Sequence, residues 1–228
     1  QQESLDALVA RLKSADWIAL DTEADSLHAY PERLCLLQIS IPGHDELVDP
    51  LSGLDFAPLW KVFCEHELLM HGADYDLRLL RRAFQFKPTR LFDTMLAARL
   101  LGYTEFSLSH LVARHLGVKL EKGPQKMDWG RRPLTERMRQ YALNDTRNLR
   151  FLVDVLKSEL REKNRLGWAE ESCARLIQDT AREKEVDLDT VWRLKGADRL
   201  TPRAACILRE LWRWRESEAV KANRPPFF

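Results

Sequence analysis

The run WIALDTEADSL, residues 17–27, begins as an apolar strand and then sets Asp21, Glu23 and Asp25 at intervals of two. Side chains of a strand alternate between its faces, so Asp21 and Glu23 share one. Ser26, His28 and Pro31 turn the chain into a loop before Asp25 can join them. Like charges a few ångströms apart raise one another's pKa and destabilise the fold unless something positive sits between them. A divalent cation meets that need.

Two further acids occupy positions where helical periodicity calls for apolar residues. In TERMRQYALNDTRNLRFLVDVL the stripe runs Met138, Ala142, position 145, Leu149, Leu152 and Leu156, and position 145 is an aspartate. Tyr141 lies one turn earlier, within reach of the same carboxylate. The helix ADYDLRLLRRAF offers two candidates. Asp76 falls beside the Leu77, Leu80 and Phe84 stripe that must face a sheet, whereas Asp74 falls with Arg78 and Arg81 as a solvated ion pair. The period therefore selects Asp76.

Asp21, Glu23, Asp76 and Asp145 are expected to converge at a strand end. Hard oxygen ligands without Cys or His among them suit Mg²⁺ or Mn²⁺ rather than zinc. Two such ions clamp the attacking and leaving oxygens of an in-line phosphoryl displacement, so phosphodiester cleavage is the chemistry this set serves. The six histidines, His28 and His71 among them, are not required by it.

DTE on a strand, HGADYDL opening a helix and YALND, a Tyr followed four residues later by Asp, resemble the three motifs of the DEDD exonucleases in their tyrosine-bearing subclass. The stretch LEKGPQKMDWGRRPLTERMRQYALND resembles the ribonuclease D branch, which includes the catalytic subunit associated with the nuclear exosome. The likeness covers residues 5–157. It implies a ribonuclease H-like fold, with Asp21, Glu23 and Asp145 holding the metal that carries the nucleophilic water. It further implies that Asp21 bridges to a second metal reached by Asp76, and that Tyr141 orients or helps to deprotonate the attacking water. Lys122, in LEKG, matches a family lysine near the substrate phosphates, or is a solvated loop lysine. Asp93, in LFDT, also matches a recurrent position; as a cap for the following helix it stays outside the site. Trp129, Arg131 and Arg132 either contact substrate or are a core Trp with solvated arginines.

The elements that must position these residues follow from the pattern of the chain. Leu5, Leu8, Val9 and Leu12 form one helical stripe before the acidic strand. LCLLQISI (34–41) and DELVD (45–49), joined by PGH, are expected to continue as strands antiparallel to the first. From ELLMHG onward strand and helix alternate. The expected fold is α/β, a mixed sheet flanked by helices, with a catalytic domain over residues 1–157. Residues 158–228 are strandless and charge-rich, an all-helical arm. Thr201 and Pro202 there supply an N-cap and first helical position. LTPRAACILRELWRWRESEAVKANRPPFF resembles only the opening helix of an HRDC-type module, so the chain is expected to be cut short inside one, as the missing initiator Met implies trimming at the other end.

With 36 Lys and Arg against 35 Asp and Glu, any polyanion must be met by a local patch rather than by net charge. No apolar run approaches the roughly 18 residues of a membrane-spanning helix, and no membrane partner is expected. The four cysteines are scattered, without zinc-ligand pairing or the density of a secreted scaffold, and a cytoplasmic setting is expected. The reading is a two-metal exonuclease releasing nucleoside 5′-monophosphates from the 3′ end of single-stranded RNA. Its rivals are the same chemistry on DNA and a non-catalytic nucleic-acid-binding scaffold on the same fold. The bases of the arm, Arg209, Arg213, Arg215, Lys221 and Arg224, either hold RNA or belong to a solvated helix packed back on the catalytic domain.

Overall fold

The computed structural model describes residues 1–120, 123, 125–182 and 187–227. Lys122 lies outside them. Strands β1 (Ile18–Ala24), β2 (Leu34–Ile41) and β3 (His44–Val48) form an antiparallel meander. β4 (Glu67–Met70) then adds parallel to β1, and β5 (Arg90–Asp93) parallel to β4, giving the order β3-β2-β1-β4-β5. The expected mixed sheet is thus present, with β1 at the place where antiparallel pairing gives way to parallel.

Both faces of the sheet are covered. Ile18, Leu20, Leu37, Ile39, Leu68, Met70 and Leu91 share a core with the apolar stripes of α1 (Gln2–Lys13), α2 (Ala57–Glu65) and α3 (Asp74–Phe84). Ala19, Leu69 and Phe92, on the opposite face, pack with α4 (Thr94–Leu101), α5 (Leu108–Leu116) and α7 (Leu149–Glu162). β2 is buried at every position, which explains its nearly continuous apolar sequence. Full burial of each such side chain contributes about 1.5–3 kcal/mol, so this double-sided core fixes the strand ends from which the acids project.

The stripe that contains Asp145 belongs to two helices. α6 (Glu136–Arg147) ends at Asn148 and α7 begins at once. Met138 and Ala142 pack with Cys35, Leu36 and Trp129, while Leu149, Leu152 and Leu156 serve the α4–α5 side. The residue at which the sequence divides domains, 157, falls inside α7. Beyond it, α8 (Leu166–Ala181) delivers Cys173 and Ile177 into the α3 side of the core, and Cys173 Sγ accepts the Asp93 N–H at 3.4 Å. The strandless text after 157 therefore begins as core.

α9 (Pro202–Ala222) is different in kind. Thr201 caps it through the Ala204 N–H and Pro202 occupies its first turn, as the sequence indicates. Among its residues Ala219 is buried; Ile207, Leu211 and Trp214 lie exposed along one side. Its far end is fixed to the loop after β1. The Tyr30 hydroxyl donates to Glu216, and the Tyr30 N–H donates to Asn223 Oδ1 at 3.2 Å. Arg209 and Arg213 both pair with Glu210, Arg215 with Glu216 and Lys221 with Glu218.

Candidate active site

Register places the acids of β1. Asp21 stands opposite Gln38 and Glu23 opposite Leu36, and a β-bulge follows between Glu23 and Ala24. Asp21 and Glu23 thus share the face covered by α6, while Thr22 points to the α3 side. Asp25 has left the strand pattern. It accepts the Arg33 backbone N–H at 2.7 Å and the Arg33 guanidinium at 2.9 and 2.7 Å, closing the 25–33 loop.

α6 is seated by polar ties to the meander. Thr135 caps its first turn, Thr146 Oγ1 and Ser40 Oγ lie 2.7 Å apart, and Arg147 Nε donates to Asp45 at 2.7 Å. These contacts hold Asp145 over β1. The Tyr141 hydroxyl faces the Asp145 carboxylate, and each shifts the other's pKa. The Tyr141 ring lies between Trp129, 6.2 Å away centroid to centroid, and Gly123. A Cβ at Gly123 would stand 1.8 Å from Tyr141 Cδ2, so only glycine fits there.

α3 is set by Asp93. This buried carboxylate caps α4 through the Met95 and Leu96 N–H groups at 2.8 and 3.2 Å. It also accepts the Gly72 and Ala73 N–H groups at 2.9 and 2.8 Å, immediately before α3. One anion thereby fixes two helix N-termini, where the dipole favours negative charge. Gly72, at φ +69°, makes the turn possible. Asp76 on the buried side of α3 then meets Thr22, whose hydroxyl donates to Asp76 Oδ1. Asp74 is exposed and bonds Arg78 at 3.0 Å, the division that the helical period indicates.

The four acids act on one another. Burial, then Asp76, Asp145 and Glu23, raise the Asp21 pKa well above its ordinary value. Burial, with Asp145 and Asp76, pushes Glu23 up to about 9. Asp145 is pushed up to about 7 by burial against the opposing hydrogen bond from Tyr141, and Asp76 to about 6 by burial against the hydrogen bond from Thr22. Burial followed by Asp145, Glu23 and Asp21 raises the Tyr141 hydroxyl far above the ordinary phenol range. Among the described residues no lysine or arginine is among the groups that set these acids' charge.

Among the described residues no three His, Cys, Asp or Glu side chains are arranged to hold a metal between them. The acids share one electrostatic field, with Asp76 turned to Thr22 and Asp145 to Tyr141. Their chemistry nevertheless fits a hard divalent cation: oxygen donors only, from three separate elements, buried at Asp76 and half-buried at Asp21, Glu23 and Asp145, mutually repelling and, among the described residues, without a basic partner. A cation would relieve the repulsion and supply the contacts that draw these carboxylates together.

Several contributors escape the sequence reading: Thr22, Gly123, and Asp93 in its second role at α3. Trp129 is fully buried in the core. Arg132 is exposed, and its guanidinium bonds Asp49 at 2.6 Å and the Cys35 and Trp129 carbonyls.

Residues 1–161 match the sequence profile of a family described as 3′-5′ exonuclease. The chain is 37% identical to a ribonuclease D of Zymomonas mobilis over 231 aligned residues, 97% of this chain and 58% of that protein. Among solved structures it is similar to Escherichia coli RNase D, described as an exoribonuclease involved in structured RNA processing. There the TM-score is 0.82 at 28% identity, over all of this chain and 61% of that one. Brucella melitensis NrnC with bound Mg²⁺ matches at TM-score 0.65 and 26% identity, over 74% of this chain and 85% of that one. The chain therefore spans about three fifths of the length of the ribonuclease D proteins it matches.

Proposed function

The chain belongs to the 3′-5′ exonuclease family, and from that premise we propose that it removes nucleoside 5′-monophosphates from the 3′ end of single-stranded RNA. The observation that carries this reading is the meeting of Asp21, Glu23, Asp76 and Asp145 in one shared electrostatic field with no basic partner among the described residues. Similarity to ribonuclease D supports RNA as the substrate, and the Mg²⁺-bound neighbour supports a divalent cation.

In this reading Asp21, Glu23 and Asp145 would hold one cation, and Asp21 with Asp76 a second, Mg²⁺ or Mn²⁺. When bound, such a pair supplies charge stabilisation at the attacking and leaving oxygens of an in-line displacement. The protein's own part is orientation. Thr22 fixes the rotamer of Asp76, and the seating of α6 on Ser40 and Asp45 fixes the height of Asp145 over the sheet. Tyr141, whose pKa is raised by burial and then by its acidic neighbours, orients the attacking water as a hydrogen-bond donor rather than as a base. Lys122 is proposed to contact substrate phosphate. Residues 1–157 carry the chemistry and α9 belongs to an arm. Four free thiols at Cys35, Cys64, Cys173 and Cys206 support a cytoplasmic setting.

The test is incubation with 5′-labelled and 3′-labelled RNA and DNA oligonucleotides in Mg²⁺, Mn²⁺ or EDTA. Progressive shortening of 5′-labelled RNA, immediate release of a labelled mononucleotide from 3′-labelled RNA, and silence in EDTA are expected. Equal or greater turnover of DNA would move the substrate assignment to DNA. Binding without cleavage in either metal would make the fold a scaffold.

A further inference from the structure

Gln38 is the residue of β2 that burial does not explain. It is fully buried, yet among the described residues neither Nε2 nor Oε1 has a hydrogen-bond partner. A buried amide without partners costs stability that an apolar side chain of the same size would not cost.

Its position is well defined. Gln38 stands opposite Asp21 in the antiparallel register, and directly opposed residues turn their side chains to the same face. On that face α6 covers β2. Two residues to one side, Ser40 bonds Thr146; two residues to the other, Leu36 packs with Met138 and Ala142. Gln38 is therefore set under the turn from Ala142 to Thr146, the turn that carries Asp145, with Asp21 beside it on β1. The small side chain of Ala142 keeps the helix close above it.

We propose that Gln38 is a positioning residue of the acidic centre, its amide N–H donating to the Asp21 carboxylate when that carboxylate turns to a divalent cation. A neutral donor suits this task. It orients an ionised carboxylate without adding positive charge, whereas a lysine or arginine at the same place would compete with the cation. The proposal rests on the metal reading above and adds a residue which that reading does not need.

Gln38→Met keeps the length and burial of the side chain and removes the amide. The measurements are thermal unfolding in EDTA and a titration with Mn²⁺ alone, followed by unfolding and calorimetry, on the wild-type chain and the variant. In EDTA the variant should melt at the wild-type temperature or above it, because a costly buried amide has gone. Its half-saturating Mn²⁺ concentration should rise about tenfold or more, the scale on which partners of metal ligands act. A Mn²⁺ titration identical to wild type would overturn the proposal alone. A metal-free variant that melts well below wild type or fails to fold would also overturn it, since the amide would then be bonded within the fold itself. If the wild-type chain does not respond to Mn²⁺, the metal reading fails and this proposal fails with it.

Discussion

Thr22, on the face of β1 opposite to Asp21 and Glu23, donates its hydroxyl hydrogen to Asp76, 54 residues away at the start of α3. Carboxylates that begin on two sides of one sheet are thereby brought to one strand end. A hydrogen bond to a charged group contributes about 1.5–3 kcal/mol, enough to decide a rotamer. Thr22→Val, which keeps the shape, should reduce turnover roughly 10- to 100-fold, with Thr22→Ser restoring most of it. If Thr22→Val retains wild-type turnover, Asp76 is held by its helix alone.

The same helix gives an internal control. Asp76→Ala should eliminate cleavage of labelled RNA. Asp74→Ala should retain most of it and change the unfolding temperature little, because Asp74 is an exposed partner of Arg78. Loss of activity in Asp74→Ala with Asp76→Ala active would reverse the assignment.

Stability in the absence of metal should depend on pH with a definite sign. The folded-state pKa values of Asp76, Asp145 and Glu23, about 6, 7 and 9, lie above the ordinary values of 3.8, 3.8 and 4.5. Between those limits the native chain binds more protons than the unfolded one, so stability falls as pH rises. These groups impose no penalty below about pH 4, and their penalty is complete above about pH 9. In EDTA the unfolding temperature should decline across pH 6–9, and saturating Mn²⁺ should flatten that decline. Asp145→Asn should melt at or above the wild-type temperature in EDTA at pH 8, and should not cleave. A wild-type profile in EDTA that rises with pH would contradict the shared field.

Tyr141 is held by shape on both sides, which separates its hydroxyl from its ring. Tyr141→Phe keeps the contacts with Trp129 and Gly123 and should lower turnover about 10²-fold with little change in stability. Gly123→Ala drives a methyl group into the ring and should lower turnover as well. In a double-mutant cycle, Gly123→Ala should add little to Tyr141→Phe, because both act through the position of one hydroxyl. Additive losses would mean that Gly123 serves a different group.

How much of this site could be read without coordinates depended on whether each residue breaks a local pattern. Asp145 interrupts an apolar stripe, and Asp76 differs from Asp74 by two residues of helical phase, so periodicity separates them. Thr22 breaks nothing: threonine is ordinary in a strand, and its partner is chosen by where α3 lands. Asp93 announces its cap of α4 locally, while its hold on Gly72 and Ala73 depends on β4 lying beside β5. The junction at Asn148 left no trace because the stripe keeps its phase across the break. Periodicity also cannot say which body a helix packs on, and α8 and α9 read alike.

That last distinction yields a test of where the catalytic unit ends. α8 places Cys173 and Ile177 within the same core as Leu77 and Leu80 of α3, and Cys173 Sγ accepts the N–H of the Asp93 that fixes the α3 terminus. Loss of buried side chains at about 1.5–3 kcal/mol each removes a large share of a typical domain's 5–15 kcal/mol. A chain ending at residue 157 also cuts α7 short, and it should show no cooperative thermal transition. A chain ending at residue 182 retains α8 and gives up, among the described contacts, the ties from Tyr30 to Glu216 and Asn223. It should unfold cooperatively and keep its metal-dependent single-turnover rate at saturating RNA, since every candidate ligand precedes residue 146. Its affinity should change little with salt relative to the longer chain, because Arg209, Arg213, Arg215 and Lys221 are already paired with glutamates of their own helix. A clearly shallower dependence of log affinity on log salt in the 182-residue chain would show that α9 contacts phosphate after all. Cooperative folding of the 157-residue chain would show that α8 is dispensable to the core.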